Sequence, residues 1–322
     1  MIFTKHKCTT KFPLVFILFL ILSVIGCAVL TESQVKEVGK FAKASESYSG
    51  LPGTLAKSYG ELVRNSNLLI VTRKEFGQIS KNGRIDTSAA NDAWDSIRDA
   101  YKDETEFEEA GKRMDAALLI LEKYSDLLTS LVSGDSTEAL SGSAKAFGKS
   151  LDEATDTYNE RYRVDEPLKM IGGTIAMAVR SAGGLYIRAK QASILKETLK
   201  DADPLIAGLM DEVRFIALKK IKPSLQNYED NYLQNDFKSL ANNKKNLDVS
   251  AVLFVYDNLY KTRQTIILAD KVAKAAETYK KAHAELVENT RTKMTLKEAI
   301  SQVQALAAEV GAANKVKDEV NK

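Results

Sequence analysis

An all-α fold, an elongated antiparallel bundle of long helices with coiled-coil-like packing, is what this sequence predicts. Three observations predict it. Only five prolines occur in 322 residues, and the long stretches between them are rich in Ala, Leu, Lys and Glu, the composition of stable helices. Apolar residues recur at spacings of three and four, as on one face of a helix. The strict alternation of a half-buried strand is rare.

The first 30 residues are of a different kind. Lys5, His6, Lys7 and Lys11 precede an apolar run from Phe12 to Leu22, which continues through Ser23, Val24, Ile25 and Gly26. A basic start, a short apolar stretch and a small residue at the cut form a secretory signal. The run ends at Val24-Ile25-Gly26-Cys27. This ending resembles the lipobox of bacterial lipoproteins: an aliphatic residue, a tolerant position, a small residue, then cysteine. The resemblance covers residues 1–27. It implies cleavage between Gly26 and Cys27 and a diacylglycerol on Cys27, often with a further acyl chain on the new amino group. Two or three acyl chains anchor stably where one is marginal. The competing reading is an uncleaved signal anchor, since Phe12 to Leu30 approaches the length of a spanning helix. Both readings put the body outside the cytoplasm. Ala28, where an Asp would signal retention at the inner membrane, implies the periplasmic side of the outer membrane if the cell has one.

The rest of the chain reads as helices in order. Thr31-Glu32-Ser33-Gln34 fits a capping box and opens a short helix carrying Val35, Val38 and Ala42, either a first bundle helix or a surface helix on the membrane. Gly50, Pro52 and Gly53 predict a break over Ser45–Thr54. A helix over 54–76 follows, with Leu55, Leu62, Leu69 and Phe76 seven apart and Tyr59 between them. After a loop at 77–87, a helix over 88–132 has Trp94, Ile97, Tyr101, Met114, Leu118, Leu121, Leu128 and Val132 as its stripe and Gly111 as a bending point. Asp135-Ser136-Thr137-Glu138 caps a helix with a seam of Leu140, Ala144, Phe147, Leu151, Ala154 and Tyr158.

One helix is expected over 168–200. Asp203-Pro204 reads as N-cap and first residue of another, which Pro223 ends or kinks. Residues 227–248 are polar, weakest at Asn242–Asn246. Asp248 caps a helix over 249–289 with Val255, Leu259, Ile266, Ala269, Ala273 and Ala276 on one face. Thr295-Leu296-Lys297-Glu298 caps the last, whose stripe is Leu296, Ile300, Val303, Ala307 and Val310. The expected organisation is a signal (1–26), a lipidated N-terminus with a short helix (27–53), a main bundle (54–246) and C-terminal helices packing on it (247–322).

Charge excludes some functions. The formal net charge of +3 equals the three lysines of the signal, so the body is balanced. A balanced body argues against nucleic acid, which needs a basic face. Cys8 and Cys27 are the only cysteines, and neither is left for a disulfide after processing.

Little catalytic chemistry is legible. Of two histidines, His6 lies in the signal. His283 shares a stripe with Val272, Ala276, Tyr279 and Leu286 and reads as a half-buried packing residue. Lys280 stands where a di-iron bundle needs a glutamate, and zinc lacks its usual ligands. A Ser triad would need His283 as base, without a nucleophile elbow. Met170-Ile171-Gly172-Gly173-Thr174 is no phosphate loop. Glu104, Glu106, Glu108 and Glu109 read as a solvated face. No metal, cofactor or enzymatic activity is expected.

The most unusual internal segment is Ile171–Ile187, IGGTIAMAVRSAGGLYI. Its small residues let helix backbones approach closely. It reads as a tightly packed central helix, or else as a membrane-inserting segment interrupted by Arg180. Three functions follow in order of preference: a lipid-anchored scaffold binding another envelope protein, with self-association open; a bundle that remodels or perforates a bilayer through 171–187; and an envelope hydrolase with a carboxylate site.

Overall fold

The structure, a computed structural model, describes residues 31–74, 87–132, 137–181, 188–235, 237–238, 249–291 and 296–321. The signal, Cys27, the loop at 77–86, the caps at Asp135, Asp248 and Thr295, the glycines Gly183 and Gly184, and Asn242–Asn246 lie outside these residues. Within them the fold is all-α. The helices are α1 (Glu32–Lys74), α2 (Thr87–Val132), α3 (Thr137–Tyr162), α4 (Gly172–Ser181), α5 (Arg188–Phe215), α6 (Lys222–Asn227), α7 (Val249–Arg291) and α8 (Leu296–Val320).

Helix α1 opens with the expected capping box. Thr31 N–H donates to Gln34 Oε1 at 2.9 Å, and Gln34 N–H donates to Thr31 Oγ1 at 3.2 Å. The break over Ser45–Thr54 does not occur: α1 runs unbroken through Pro52 for 43 residues. A proline removes one N–H from the ladder, while Leu51 and Leu55 on either side are fully buried, and that burial outweighs the lost bond. The nearby glycine is an interface residue, because a Cβ on Gly53 would meet the Asp115 carboxylate of α2 at 2.2 Å. Gly39 beside Val132, and Gly111 beside Ala56, fix α2 antiparallel to α1. Gly111 serves this contact, and α2 continues through it.

A second proline reading is overturned: Pro204 lies inside α5, not at a helix start. Pro223 does not end the helical run, although the regular α-helix gives way to a wider turn just before it. The chain keeps helical dihedrals from α5 through a π-helical turn (Ile216–Ile221), α6 and a second π-helical turn (Tyr228–Leu233). Lys222 N–H reaches back five residues to Ala217 O, just before the proline. A widened turn absorbs a residue that the regular ladder cannot accommodate.

Helix α7 is the central element, packed on α5, α1 and α8. It runs antiparallel to α1, since Phe41 meets Tyr279, Tyr48 meets Val272 and Glu61 meets Lys261. It runs antiparallel to the α5–α6 rod, through Asp211–Lys280, Lys222–Asp270 and Glu229–Arg263. Buried Ala269, Ala273 and Ala276 let these neighbours close in. Helix α8 lies parallel to α1, where Lys40 and Ser47 share one groove with Val303 and Asn314. Its buried face includes Val303, Leu306 and Val310, while Ala307 points to solvent.

The helix expected to begin at Leu168 begins later. Residues 163–171 are non-helical and α4 begins at Gly172. Asn159 clamps the preceding segment, its amide donating to Leu168 O at 2.8 Å and accepting from Leu168 N–H at 2.7 Å. Asp152 of α3 caps α4 across the interface, with Gly172 N–H and Gly173 N–H each 2.6 Å from a carboxylate oxygen. A negative group accepting at a helix N-terminus is favourable on both hydrogen-bond and dipole grounds. Asp152→Ala is expected to cost about 1–2 kcal/mol, read as a lower urea midpoint at unchanged m-value. Asp152→Asn should keep part of that stability; equal loss in both variants would remove the capping account.

Ile171, Ile175 and Val179 of this segment are buried in the common core. No helix among the described residues is long and apolar enough to cross a membrane.

Candidate functional site

Three arrangements stand out within the bundle, and the first is a chain of polar groups that runs from the core to the surface at Asp203. His283 is fully buried, at 0% exposure, rather than half-buried. Its Nδ1 lies 2.9 Å from Asp203 Oδ1 of α5 and its Nε2 lies 2.7 Å from the Tyr124 hydroxyl of α2. A carboxylate only accepts, so Nδ1 carries the proton and Nε2 accepts from Tyr124. Burial pushes the imidazole pKa down, against the pull of Asp203. The hydrogen bond from His283 holds the Asp203 carboxyl low, and burial holds the Tyr124 phenol high. A neutral imidazole therefore satisfies both neighbours.

The polar layer extends along α1. Ser45 Oγ lies 2.7 Å from the Tyr279 hydroxyl and 2.9 Å from Phe41 O, and Tyr48 donates to Val272 O at 3.2 Å. An acid–histidine–hydroxyl order resembles a nucleophile-activating relay. Here its terminal hydroxyl is a buried phenol held in the protonated state. The arrangement joins α1, α2, α5 and α7 by satisfied hydrogen bonds.

The second arrangement is a polar groove where α2, α3 and α5 meet. Glu212 receives the Tyr158 hydroxyl and stands 2.5 Å from Arg113 Nε. Arg163 approaches it at 3.9 Å, and the Arg113 guanidinium lies 5.7 Å from the Tyr162 ring centroid. Cavities of about 650 Å³ flank this cluster on both sides. Its charges are mutually paired, so it presents little free charge to a ligand.

The third is apolar and lies at one end. The antiparallel registers put the last third of α1, the start of α2, the end of the α6 rod and the start of α7 together, remote from Thr31. Ten of the sixteen large apolar side chains exposed among the described residues fall there. Helix α7 contributes Val249 (75% exposed), Val252, Leu253, Phe254, Tyr256 (62%) and Tyr260. The rod contributes Tyr232 and Phe237, and α2 contributes Trp94 and Tyr101. Trp94 and Tyr101 were expected in the core stripe of α2; they are 64% and 71% exposed. Exposed apolar groups scattered singly need no explanation, but a concentration at one end marks an interaction surface.

The comparisons name no relative. No protein-family model, curated protein or solved structure matches the chain. The site is therefore judged on its own chemistry, and the apolar end is the strongest candidate. It includes a groove of about 430 Å³ between Leu233 and Phe237 of the rod and Val252, Val255, Tyr256 and Leu259 of α7. Glu229 and Asp230 stand on its rim. The groove follows the second π-helical turn, a local widening often found at functional positions.

Of the residues singled out in the sequence, the structure brings His283 into the core and Gly172 and Gly173 onto α3. Glu109 is exposed beside Lys112, at 3.1 Å; the side chains of Glu104, Glu106 and Glu108 lie outside the described ones. Among the described residues no three His, Cys, Asp or Glu gather as a metal site. Sequence reasoning missed the apolar end. Its signal was present, because α7 carries a second row of apolar residues beside the Val255 row.

Proposed function

We propose that this chain is a lipid-anchored envelope protein that binds another protein through the apolar end of its bundle, in a structural or adaptor role rather than a catalytic one. The observation that carries the reading is the concentration of exposed aromatic and aliphatic groups at the end remote from Thr31. Helix α1 spans 43 residues, so about 60 Å separates its two ends. Acylation at Cys27, after cleavage behind Gly26, anchors one end at the periplasmic side of the outer membrane, or at the outer face of the plasma membrane in a cell with a single membrane. The other end is then free to meet a partner beyond reach of the anchoring lipid.

The test has two arms. Membrane-extracted protein is expected to have the mass of residues 27–322 plus acyl groups, and Cys27→Ala to lose them; the mass of the unmodified full chain would remove the anchor. Formaldehyde cross-linking of intact cells is expected to recover one specific envelope protein from the native chain, and to lose it from the Leu253→Ser, Tyr256→Ser double variant. Recovery of no specific protein from the native chain would remove the adaptor role.

A further inference from the structure

The exposed residues of α7 have an order. Val249, Leu253, Tyr256, Tyr260, Arg263 and Ile267 are all exposed, at spacings of four, three, four, three and four. That is the a/d seam of a coiled coil, about 27 Å long. It lies on the same helix as the buried Leu268, Val272 and Ala276, which satisfy the bundle. A helix within a bundle needs one apolar stripe. This one has a second stripe, left uncovered by the described residues and continuous with the groove beside it.

Charge selects the occupant. The cations beside and within the seam are engaged internally: Lys261 with Glu61 at 2.7 Å, and Arg263 with Glu229 at 2.7 Å. Asp230 and Asp257 are exposed and form no ion pair with the described residues. A second copy of the chain fits this pattern poorly. Two seams laid antiparallel, Val249 on Ile267 and Tyr256 on Tyr260, bring the two Asp257 carboxylates together; laid parallel, they stack Arg263 on Arg263. Like charges across an interface oppose association.

We propose that the α7 seam is the docking face for one helix of a different protein, an amphipathic helix whose apolar stripe is bordered by Lys or Arg facing Asp230 and Asp257. This is the helix-in-groove mode of recognition. The proposal rests on the adaptor reading and specifies its partner.

The experiment replaces Leu253 or Tyr256 of the full-length chain with the photo-cross-linker p-benzoylphenylalanine in its native cells, with exposed Glu197 of α5 as the control position. The adduct is mapped by mass spectrometry. The expected result is one protein adduct from both seam positions and none from Glu197, joined at a helical segment with Lys or Arg within one turn. The Asp230→Lys, Asp257→Lys double variant should lower its yield about tenfold, the loss of two exposed ion pairs. Both substitutions are on the surface, so an unchanged thermal melt shows that the fold is kept. Adducts to lipid or to a second copy of the chain would overturn the proposal. So would a protein adduct indifferent to charge reversal, though that result leaves the adaptor reading standing. No adduct at either position would overturn both.

Discussion

Gly172→Val should be the most damaging single substitution in the bundle. At the crossing of α3 and α4, a Cβ on Gly172 would lie 1.8 Å from Gly148 O and 2.6 Å from Gly148 C, and a Cβ on Gly148 would lie 2.6 Å from Gly172 O. These are backbone atoms, and no side-chain rotation relieves them. Helix α4 would have to lift away, exposing Ile171, Ile175 and Val179 and breaking the Asp152 cap. Overpacking alone costs about 1–3 kcal/mol; with the lost burial and cap, a loss above about 4 kcal/mol is expected. In a chain of this length that lowers the melting temperature by roughly 10 °C. Gly142→Ala is the matched control. Nothing lies within 4 Å of a Cβ there, so it should be neutral or stabilise by up to about 1 kcal/mol. Equal melting temperatures for Gly172→Val and the native chain would refute the close approach.

The second large effect is expected at His283. Leucine there removes the acceptor for Tyr124 and the donor to Asp203. Asp203 reaches solvent and can rehydrate, whereas the Tyr124 hydroxyl is left buried without its partner. A buried orphan costs about 1–3 kcal/mol, and the imperfect fit of leucine adds to it. The pH dependence separates this from simple repacking. The folded pKa of His283 is lowered, so between that value and the unfolded value near 6.5 the unfolded chain binds a proton that the folded chain does not. Stability is full above about pH 6.5 and falls as the pH drops through it, by at most about 1.4 kcal/mol per pH unit. Asp203 acts lower: its depressed pKa contributes stability that is lost only as the pH falls below about 4. Urea midpoints at pH 7.5 and 5.5 should differ in the native chain and converge in His283→Leu. Equal midpoints in the native chain would show that the imidazole is not held neutral.

Much of the fold was legible because much of it is local. The Thr31 box, the extent of α2 and the extent of α7 rest on capping and on helical periodicity, which need no knowledge of neighbours. The errors share one cause. Pro52 was read within a break, Pro204 as a helix start and Pro223 as an end or kink because their local preference is strong, yet tertiary burial beside them carries the helical run through all three. Residues 168–171 were read as helix because the clamp on Leu168, Asn159, lies in a different element.

The apolar end was illegible for a related reason. Periodicity reveals that a stripe exists but not whether anything covers it. Trp94 and Tyr101 look in sequence like Met114 and Leu118, which are buried. Helix α7 carries two stripes, and nothing in their composition says which one the bundle takes. The small-residue segment drew attention instead, and its Gly172 and Gly173 serve the packing of α4 on α3.

The position of Trp94 has an optical consequence. It is the sole tryptophan and it stands in water at the apolar end, while Tyr48, Tyr124, Tyr158 and Tyr279 are fully buried. Tryptophan emission is therefore blind to the bundle interior and reports on that end alone. Tyrosine absorbance samples both regions, because Tyr101, Tyr232, Tyr256 and Tyr260 lie at that end. A change in tryptophan emission at constant helical circular dichroism thus reports occupancy of that end without loss of the fold, and without any added label.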